Sequence, residues 1–223
     1  MDNNKKASFV LKKLKEFFPE GECALKWDGN PFRLLVLGVL SAQCTDERVN
    51  AVSVELFKAL PDAKAFAESK EGELEKLIHS VGLYNSKAKN LREASKLIIN
   101  RFNGEIPCEM EDLLTLPGVG RKVANLLRGD IYNLGGIVAD THCIRICGRL
   151  GFTEKDSPLE TETVMRSLIP LDEQSGFCHR IVLFGRKICS ARKPLCMECP
   201  FLDFCLFYKN MKNEKNDSSK NNN

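Results

Sequence analysis

The sequence predicts an all-α fold, and three observations point to it. Apolar residues recur at helical spacing, as Val10, Leu14 and Phe17 do near the start of the chain. Residue pairs that cap and open helices stand between such stripes, and Asn30 followed by Pro31 is one of them. No segment shows sustained period-two alternation with β-branched residues. We therefore expect roughly ten helices joined by short connections.

Each helix is placed by its apolar stripe and by the signals at its ends. The first covers residues 5–18 and ends at Pro19, and the second runs from Pro31 to about Gln43. Thr45 can cap the third, which extends to about Leu60. The remaining helical segments are 62–69, 72–80, 86–102, 109–115, 121–134, 141–150, 158–168 and 173–188.

Composition indicates an ordinary globular protein. The 223 residues are 43% hydrophobic and 28% charged, with a net charge of +3, which permits an anionic partner without arguing for one. No apolar run approaches the roughly 20 residues of a membrane span, and the N-terminus lacks a signal-peptide core. We expect a cytoplasmic protein without membrane contact, and a disordered polar tail at 209–223.

The stretch LPGVGRK, Leu116 to Lys122, predicts an anion-binding hairpin. Gly118 and Gly120 flank a tight turn, and a helical run follows at once from Arg121. A glycine-rich turn that opens a helix directs backbone N–H groups to one place, where the helix dipole also favours an anion. Because the preceding segment is helical too, the unit is a helix–hairpin–helix. Lys122 is unusual in such a turn, and its simplest role is a phosphate contact.

Four of the ten cysteines form a C-terminal cluster. Cys189, Cys196, Cys199 and Cys205 are separated by six, two and five residues. Four thiolates can bind zinc or the four irons of a cubane cluster, and since only one pair has two-residue spacing, we favour the iron–sulfur cluster. The loop between the first two cysteines carries Arg192 and Lys193, as SARKPL. We expect the other six cysteines to be small buried hydrophobes.

Two loops between helices have open interpretations. Gln43, in SAQCTDERVN, could touch a ligand, although a helix-capping turn is the plainer interpretation. Leu83, in GLYNSKAKN, could be packed under its loop or could enter a base stack as a wedge. The residues alone favour the structural interpretation of each.

The segment ADTHCIRICGRL carries three charged residues, Asp140, Arg145 and Arg149, each with more than one interpretation. Asp140 can cap the helix that starts there, and read alone this capping role is preferred. Arg145 and Arg149 share one helix face, which is either solvated or directed at DNA.

Taken together, these motifs resemble the endonuclease III family of helix–hairpin–helix DNA glycosylases. The resemblance is carried by LPGVGRK, by an aspartate eighteen residues after Lys122, and by the six-two-five cysteine spacing. SAQCTD and GLYNSKA also match, and residues 8 to 208 are covered. One departure is the run LGGIVAD, where Ala139 replaces the family's usual valine, a change that concerns pocket shape and base preference.

The resemblance implies two helical domains. A six-helix barrel over 24–135 would end in the hairpin, and residues 1–23 with 136–208 would form the iron–sulfur cluster domain. DNA would lie across both domains, and the target base would be flipped into the cleft between them.

The resemblance also implies roles for single residues. Lys122 would be the nucleophile and Asp140 its acidic partner, in a DNA glycosylase with AP lyase activity toward oxidised pyrimidines. Gln43 and Leu83 would fill the gap left by the flipped nucleotide. The remaining DNA contacts would be Gly118, Gly120, Arg121, Arg192 and Lys193. The cofactor would be a [4Fe–4S] cluster, the partner damaged or abasic duplex DNA, and the protein a nucleoid-associated monomer.

Three other functions are compatible with parts of the pattern. A non-enzymatic DNA-binding module would need the hairpin alone, so the cysteine cluster and the lysine–aspartate spacing weigh against it. An adenine glycosylase of the same superfamily would lack the lysine and carry a further C-terminal domain. A small iron–sulfur redox protein would not need a hairpin or a basic loop.

Overall fold

The computed structural model describes residues 2–220, with side chains as far as residue 213. All regular secondary structure in this part of the chain is helical, as predicted. The α-helices are α1 (Asn3–Phe17), α2 (Pro31–Leu40), α3 (Asp46–Ala59), α4 (Ala63–Glu68), α5 (Glu73–Ile78), α6 (Tyr84–Phe102), α7 (Met110–Leu114), α8 (Arg121–Tyr132), α9 (Thr141–Leu150), α10 (Pro158–Leu168), α11 (Gln174–Lys187) and α12 (Leu206–Lys220). Within the same residues, none of these helices is long and apolar enough to cross a membrane.

The chain divides into two compact units. Unit 1 consists of Met1–Glu22 and Gly136–Asn223, and unit 2 is Cys23–Gly135. The predicted domain boundaries at residues 24 and 135 lie within one residue of this division. Unit 2 is described throughout and contains seven α-helices, one more than the six of the predicted barrel.

Helix α2 is the centre of unit 2. Eight of its ten residues are buried, because it is apolar on every side and other helices surround it. Each fully buried Leu or Val contributes roughly 1.5–3 kcal/mol of transfer free energy. The partners of α2 include α3, α6 and α8, so α2 fixes the positions of the helices that flank the hairpin and the polar loops.

The predicted caps form in unit 2, but α2 is shorter than expected. The Asn30 side chain accepts a hydrogen bond from the Arg33 amide at 3.2 Å, and the Thr45 hydroxyl caps α3 in the same way. We predicted that α2 would reach about Gln43, and it ends at Leu40. Gln43 has φ of 55°, a left-handed conformation that a helix cannot contain, so the chain turns before α3.

Unit 1 is held together by basic side chains that bind main-chain carbonyls. The Lys6 ammonium donates to the carbonyls of Leu150 and Gly151, both at 3.2 Å. The Arg180 guanidinium donates to the Phe18 carbonyl at 2.9 Å. These bonds join α1 to the ends of α9 and to α11, which explains why the N-terminal helix packs with the C-terminal part of the chain.

The tail prediction was wrong for the residues that the structure describes. We expected disorder over 209–223, whereas α12 is helical from Leu206 to Lys220. Phe207 and Tyr208 pack against the core of unit 1, so tertiary contacts stabilise the first turn of α12. Once a first turn is fixed, each further residue is added at low cost. The last three residues of the predicted tail, 221–223, lie outside the described residues.

Candidate functional site

The loop between α7 and α8 is a tight hairpin. The Val119 amide donates to the Leu116 carbonyl at 3.0 Å, and both side chains are buried. Gly118 has φ of 84°, which only glycine adopts without strain. Gly120 is the N-cap of α8 in an extended conformation. The backbone therefore turns within three residues and enters α8 with its first N–H groups uncapped by any Gly120 side chain.

Gly118 is also required by close packing. A Cβ atom placed on Gly118 would lie 3.1 Å from Asn90 Cβ and 3.2 Å from Val39 Cγ1. The hairpin backbone is therefore in direct contact with α6 and with the last turn of α2. A side chain at this position would force Asn90 and Val39 to move by a few tenths of an ångström, so the packing favours glycine where the hairpin meets these helices.

Lys122 lies in the first turn of α8 and is exposed to solvent, as is Arg121. The next residue, Val123, faces α2, because a Cβ on Gly38 would lie only 3.1 Å from Val123 Cγ1. This contact sets the rotation of α8 about its axis and leaves Lys122 on the open side. An exposed amine at a helix N-terminus is close to the N–H groups that would bind an anion.

Gln43 and Leu83 are presented on two adjacent loops of unit 2. Both are exposed, and Leu83 keeps 60% of its surface accessible. Both also have left-handed backbones, with φ of 55° and 59°. A Cβ on Gly82 would lie 3.7 Å from the Gln43 carbonyl oxygen, so the two loops are close neighbours. The interpretation of Leu83 as a residue packed under its loop is wrong, because the side chain is exposed to solvent and the backbone is in a strained left-handed conformation.

The four clustered cysteines come together in unit 1. Cys189, Cys196, Cys199 and Cys205 line one small cavity. Burial raises the pKa of Cys199 to about 11, and the neighbouring thiols of this set add to the effect. Thiolates so close to one another repel unless a cation neutralises them. Four sulfur donors around one cavity fit the coordination needs of a cubane iron–sulfur cluster.

Two arginines of α9 hold the start of this cysteine loop. Arg149 donates to Cys189 Sγ at 3.2 Å and to the carbonyls of Ser190 and Ala191, both at 2.8 Å. Arg145 donates to the Cys189 carbonyl at 3.0 Å. From the sequence, the face of α9 that carries these arginines was either solvated or directed at DNA. Arg145 and Arg149 instead bind the main chain of the loop and one of its sulfurs.

Asp140 and the basic loop residues are placed as follows in unit 1. Asp140 is the N-cap of α9, and its Oδ1 accepts a hydrogen bond from the Cys143 amide at 2.8 Å. The predicted capping role is therefore confirmed. Arg192 and Lys193 are exposed on the loop between the first two cysteines, where the Lys193 amide donates to Ser190 Oγ at 3.3 Å.

Two residues that support the site were missed in the sequence. Lys87 and Asn90 lie on the inner side of α6, and Lys87 is only 4% exposed. A signal was present for Lys87, because it precedes the buried Leu91 by four residues and so falls on the apolar stripe of α6. A lysine at a core position of a helix needs a partner, and sequence alone does not say which one.

The fold and these features define a class of protein: an all-α protein with a lysine-bearing helix–hairpin–helix and a C-terminal cysteine cluster. Residues 36–171 match the family model of the HhH-GPD superfamily base excision DNA repair protein. Residues 189–205 match the iron–sulfur binding domain of endonuclease III, and the cofactor is accordingly a [4Fe–4S] cluster.

Comparison with individual proteins identifies the family within that superfamily. The chain is 44% identical to endonuclease III of Synechocystis sp. over 201 residues, which are 90% of this chain and 91% of the relative. It is 42% identical to endonuclease III of Bacillus subtilis over 206 residues, 92% and 94% of the two chains. This protein therefore belongs to the endonuclease III family.

A solved structure of a non-covalent endonuclease III–DNA complex has the same fold, with a TM-score of 0.89 and 38% identity, covering 96% of this chain and all of the other. A trapped covalent endonuclease III–DNA intermediate matches with the same TM-score and identity, covering 95% and 100%. A thermostable thymine-DNA glycosylase, 22% identical over 93% of this chain and 98% of its own with a TM-score of 0.84, shares the fold.

We predict that Gly118→Ala destabilises unit 2 and weakens DNA binding. The new Cβ would meet Asn90 and Val39, and a left-handed alanine is strained, so the expected loss of stability is about 2 kcal/mol. The measurement is thermal unfolding together with affinity for duplex DNA. Gly120→Ala is the matched control, because φ there is −94° and no atom lies within 4 Å of the added Cβ. Equal losses in the two variants would contradict the packing argument.

We also predict that Arg149→Met loosens the cysteine loop. The substitution removes the hydrogen bonds to Cys189 Sγ and to two loop carbonyls, each worth about 1.5–3 kcal/mol for a charged donor. Iron should then be lost to a chelator severalfold faster than from the unaltered protein, as followed by the visible absorbance of the cluster. Arg192→Met, at an exposed arginine of the same loop, should leave the rate unchanged. An unaltered rate in Arg149→Met would show that these bonds do not hold the loop.

Proposed function

We propose that this protein excises damaged bases from duplex DNA with Lys122 as the nucleophile, and then cuts the strand at the abasic site. The activity is that of a bifunctional DNA glycosylase and AP lyase of base excision repair. The observation that carries the assignment of Lys122 is its exposed position in the first turn of α8, directly after the hairpin glycines. The trapped covalent intermediate of endonuclease III with DNA supports it, since a covalent adduct requires a nucleophile.

The chemistry of Lys122 is covalent catalysis by an amine. Its Nζ attacks C1′ of the damaged nucleotide while the bond from C1′ to the base breaks, and the base leaves with the bonding electrons and a proton. The sugar ring opens to a Schiff base between Nζ and C1′. Loss of a proton from C2′ then breaks the bond from C3′ to oxygen, so the strand is cut 3′ to the lesion. Water finally hydrolyses the Schiff base and frees the lysine.

Asp140 is the proposed acidic partner in this reaction. Its carboxylate would stabilise the positive charge that develops at C1′ and relay protons between the sugar and the departing base. Its Oδ1 is already oriented by the hydrogen bond from the Cys143 amide. This hydrogen bond positions the carboxylate, which suits a group whose charge must face the reacting sugar.

The base must leave the duplex before C1′ can be attacked, and we assign this step to Gln43 and Leu83. Enzymes that act on a base extrude its nucleotide, at a cost of a few kcal/mol that is smaller for a lesion that stacks poorly. Gln43 and Leu83 are exposed on adjoining loops, where an amide and an apolar side chain could fill the vacated space. Filling the gap keeps the remaining stack intact while the nucleotide is out.

Phosphate contacts would come from both units. The N–H groups at Gly118, Gly120 and Arg121 are suited to bind one backbone phosphate at the start of α8. Arg192 and Lys193 are exposed on the cysteine loop, where they would add salt-dependent, sequence-independent affinity. A cluster that fixes this loop therefore has a structural use in DNA binding.

We assign the cluster ligands to Cys189, Cys196, Cys199 and Cys205, because these four thiols line one cavity. Each thiolate would bind one iron of the cubane. When bound, the cluster would cross-link the segments that carry the four cysteines. The proposed substrates are oxidised pyrimidines in duplex DNA, and the proposed location is the cytoplasm, in association with the nucleoid.

We predict that Lys122→Gln abolishes covalent trapping while DNA binding persists. Borohydride reduces a Schiff base to a stable adduct, so the unaltered protein should be trapped on a duplex that contains thymine glycol or an abasic site. The variant should give no adduct on a denaturing gel. Lys64→Gln, at an exposed lysine of α4, is the control and should be trapped normally. An undiminished adduct in Lys122→Gln would refute the assignment.

We predict that Asp140→Asn keeps the stability of the protein but loses most of its turnover. Asparagine caps helices about as well as aspartate, so thermal unfolding should be nearly unchanged. The loss of the charge should reduce the rate of base excision roughly 100-fold or more. Asp140→Ala is the comparison, since it should lose both activity and about 1 kcal/mol of stability. Full activity in Asp140→Asn would leave Asp140 a helix cap only.

A further inference from the structure

Lys87 is a buried lysine in the second turn of α6, and no step proposed above uses it. Its side chain is 4% exposed. Burial lowers the pKa of Lys87, because the charged form loses its hydration. A buried ammonium is tolerated only where hydrogen bonds replace the lost water, so the partners of Lys87 indicate what it is for.

Those partners are two main-chain carbonyls at the end of α2. The ammonium donates to the Leu40 carbonyl at 2.9 Å and to the Ala42 carbonyl at 2.6 Å. The last carbonyls of a helix have no partner within it, and a cation there also interacts favourably with the helix dipole. Ala42 directly precedes Gln43, so the second bond holds the loop that presents Gln43.

The main chain of Lys87 holds the other loop. Its amide donates to the Leu83 carbonyl at 3.1 Å, as the first hydrogen bond of α6. Leu83 is the N-cap of α6 and has no side-chain hydrogen bond of its own there. A single residue thus binds the residue before Gln43 through its side chain and Leu83 through its backbone.

Both of these loops need support, because they hold non-glycine residues in left-handed conformations. Such backbones persist only where the surroundings determine them, and they cluster at functional sites. A Cβ atom on Gly82 would lie 3.7 Å from the Gln43 carbonyl oxygen, so the two loops are close neighbours. Lys87 connects the two loops at their bases.

We propose that Lys87 is a positioning residue that sets the spacing of Gln43 and Leu83, and through them the preference for duplex DNA from which a nucleotide has been flipped. This inference rests on the proposed function of those two residues. A purely structural role, as a cap for α2, would affect stability without changing the preference between DNA substrates.

The test compares affinities for two duplexes that differ at one position. One carries a tetrahydrofuran abasic-site analogue, which lacks a base and resists cleavage, and the other is undamaged. Lys87→Met keeps the length of the side chain and removes its donors. Its preference for the abasic duplex should fall about tenfold, within the range of couplings between residues in contact, while its affinity for undamaged DNA stays the same.

Two further variants separate positioning from stability. Ile98→Val, at a buried position of the same helix, lowers stability without touching either loop and should keep the preference. Gln43→Ala should lose the preference, and adding Lys87→Met to it should cost little more, because the lost side-chain bond holds the Gln43 loop, whereas the amide bond to Leu83 is kept. Lys87→Gln, whose amide can reach one carbonyl, should be intermediate, and it decides the question if Lys87→Met does not fold.

An unaltered preference in Lys87→Met, or in Lys87→Gln when the first variant is unfolded, would overturn the inference. Additive losses in the double variant would overturn it as well. If the unaltered protein shows neither a preference for the abasic duplex nor a trapped adduct, the proposed function itself is wrong, and this result is recognisable before any variant is made.

Discussion

The close approach of the hairpin backbone to two buried helices is the constraint on which the site in unit 2 depends. A Cβ atom at Gly118 would lie only 3.1 Å from Asn90 of α6 and 3.2 Å from Val39 of α2. Glycine is required twice, by the left-handed backbone and by this contact. Since α8 starts three residues later and packs against α2 at Gly38, the direction of Lys122 follows from interior packing rather than from the loop alone.

Helix α6 supports three elements of the site: the loop of Leu83, the loop of Gln43 and the hairpin. Leu83 stands at its start, Lys87 binds the loop of Gln43 one turn later, and Asn90 contacts the hairpin after a further turn. Residues three apart lie on one face of a helix, so Lys87 and Asn90 share a face, while Leu83 is the N-cap just before the helix. One helix thus supports elements that come from distant parts of the sequence.

Sequence reasoning succeeded where the interactions are local. Caps such as Asn30 and Asp140 bind amides three residues away, so a pattern of adjacent residues contains them. It failed where a long side chain reaches a distant segment. The bond from Lys87 to Ala42 spans 45 residues, and the bond from Arg149 to Ser190 spans 41. The residues around Lys87 and Arg149 in the sequence do not indicate these partners. The sequence therefore predicted the helix face on which each residue lies, but not the segment that it binds.

The same long-range bonds explain why net charge said little about the partner. Both units satisfy main-chain carbonyls with basic side chains: Lys6 and Arg180 in the joints of α1, Arg149 on the cysteine loop, and Lys87 at the end of α2. These four charges stabilise the fold and are withdrawn from solvent to different degrees. Lys122, by contrast, is exposed and follows a glycine turn. The net charge of +3 counts both kinds alike, so a DNA-binding surface in this family has to be read from exposure and backbone geometry rather than from the number of lysines and arginines.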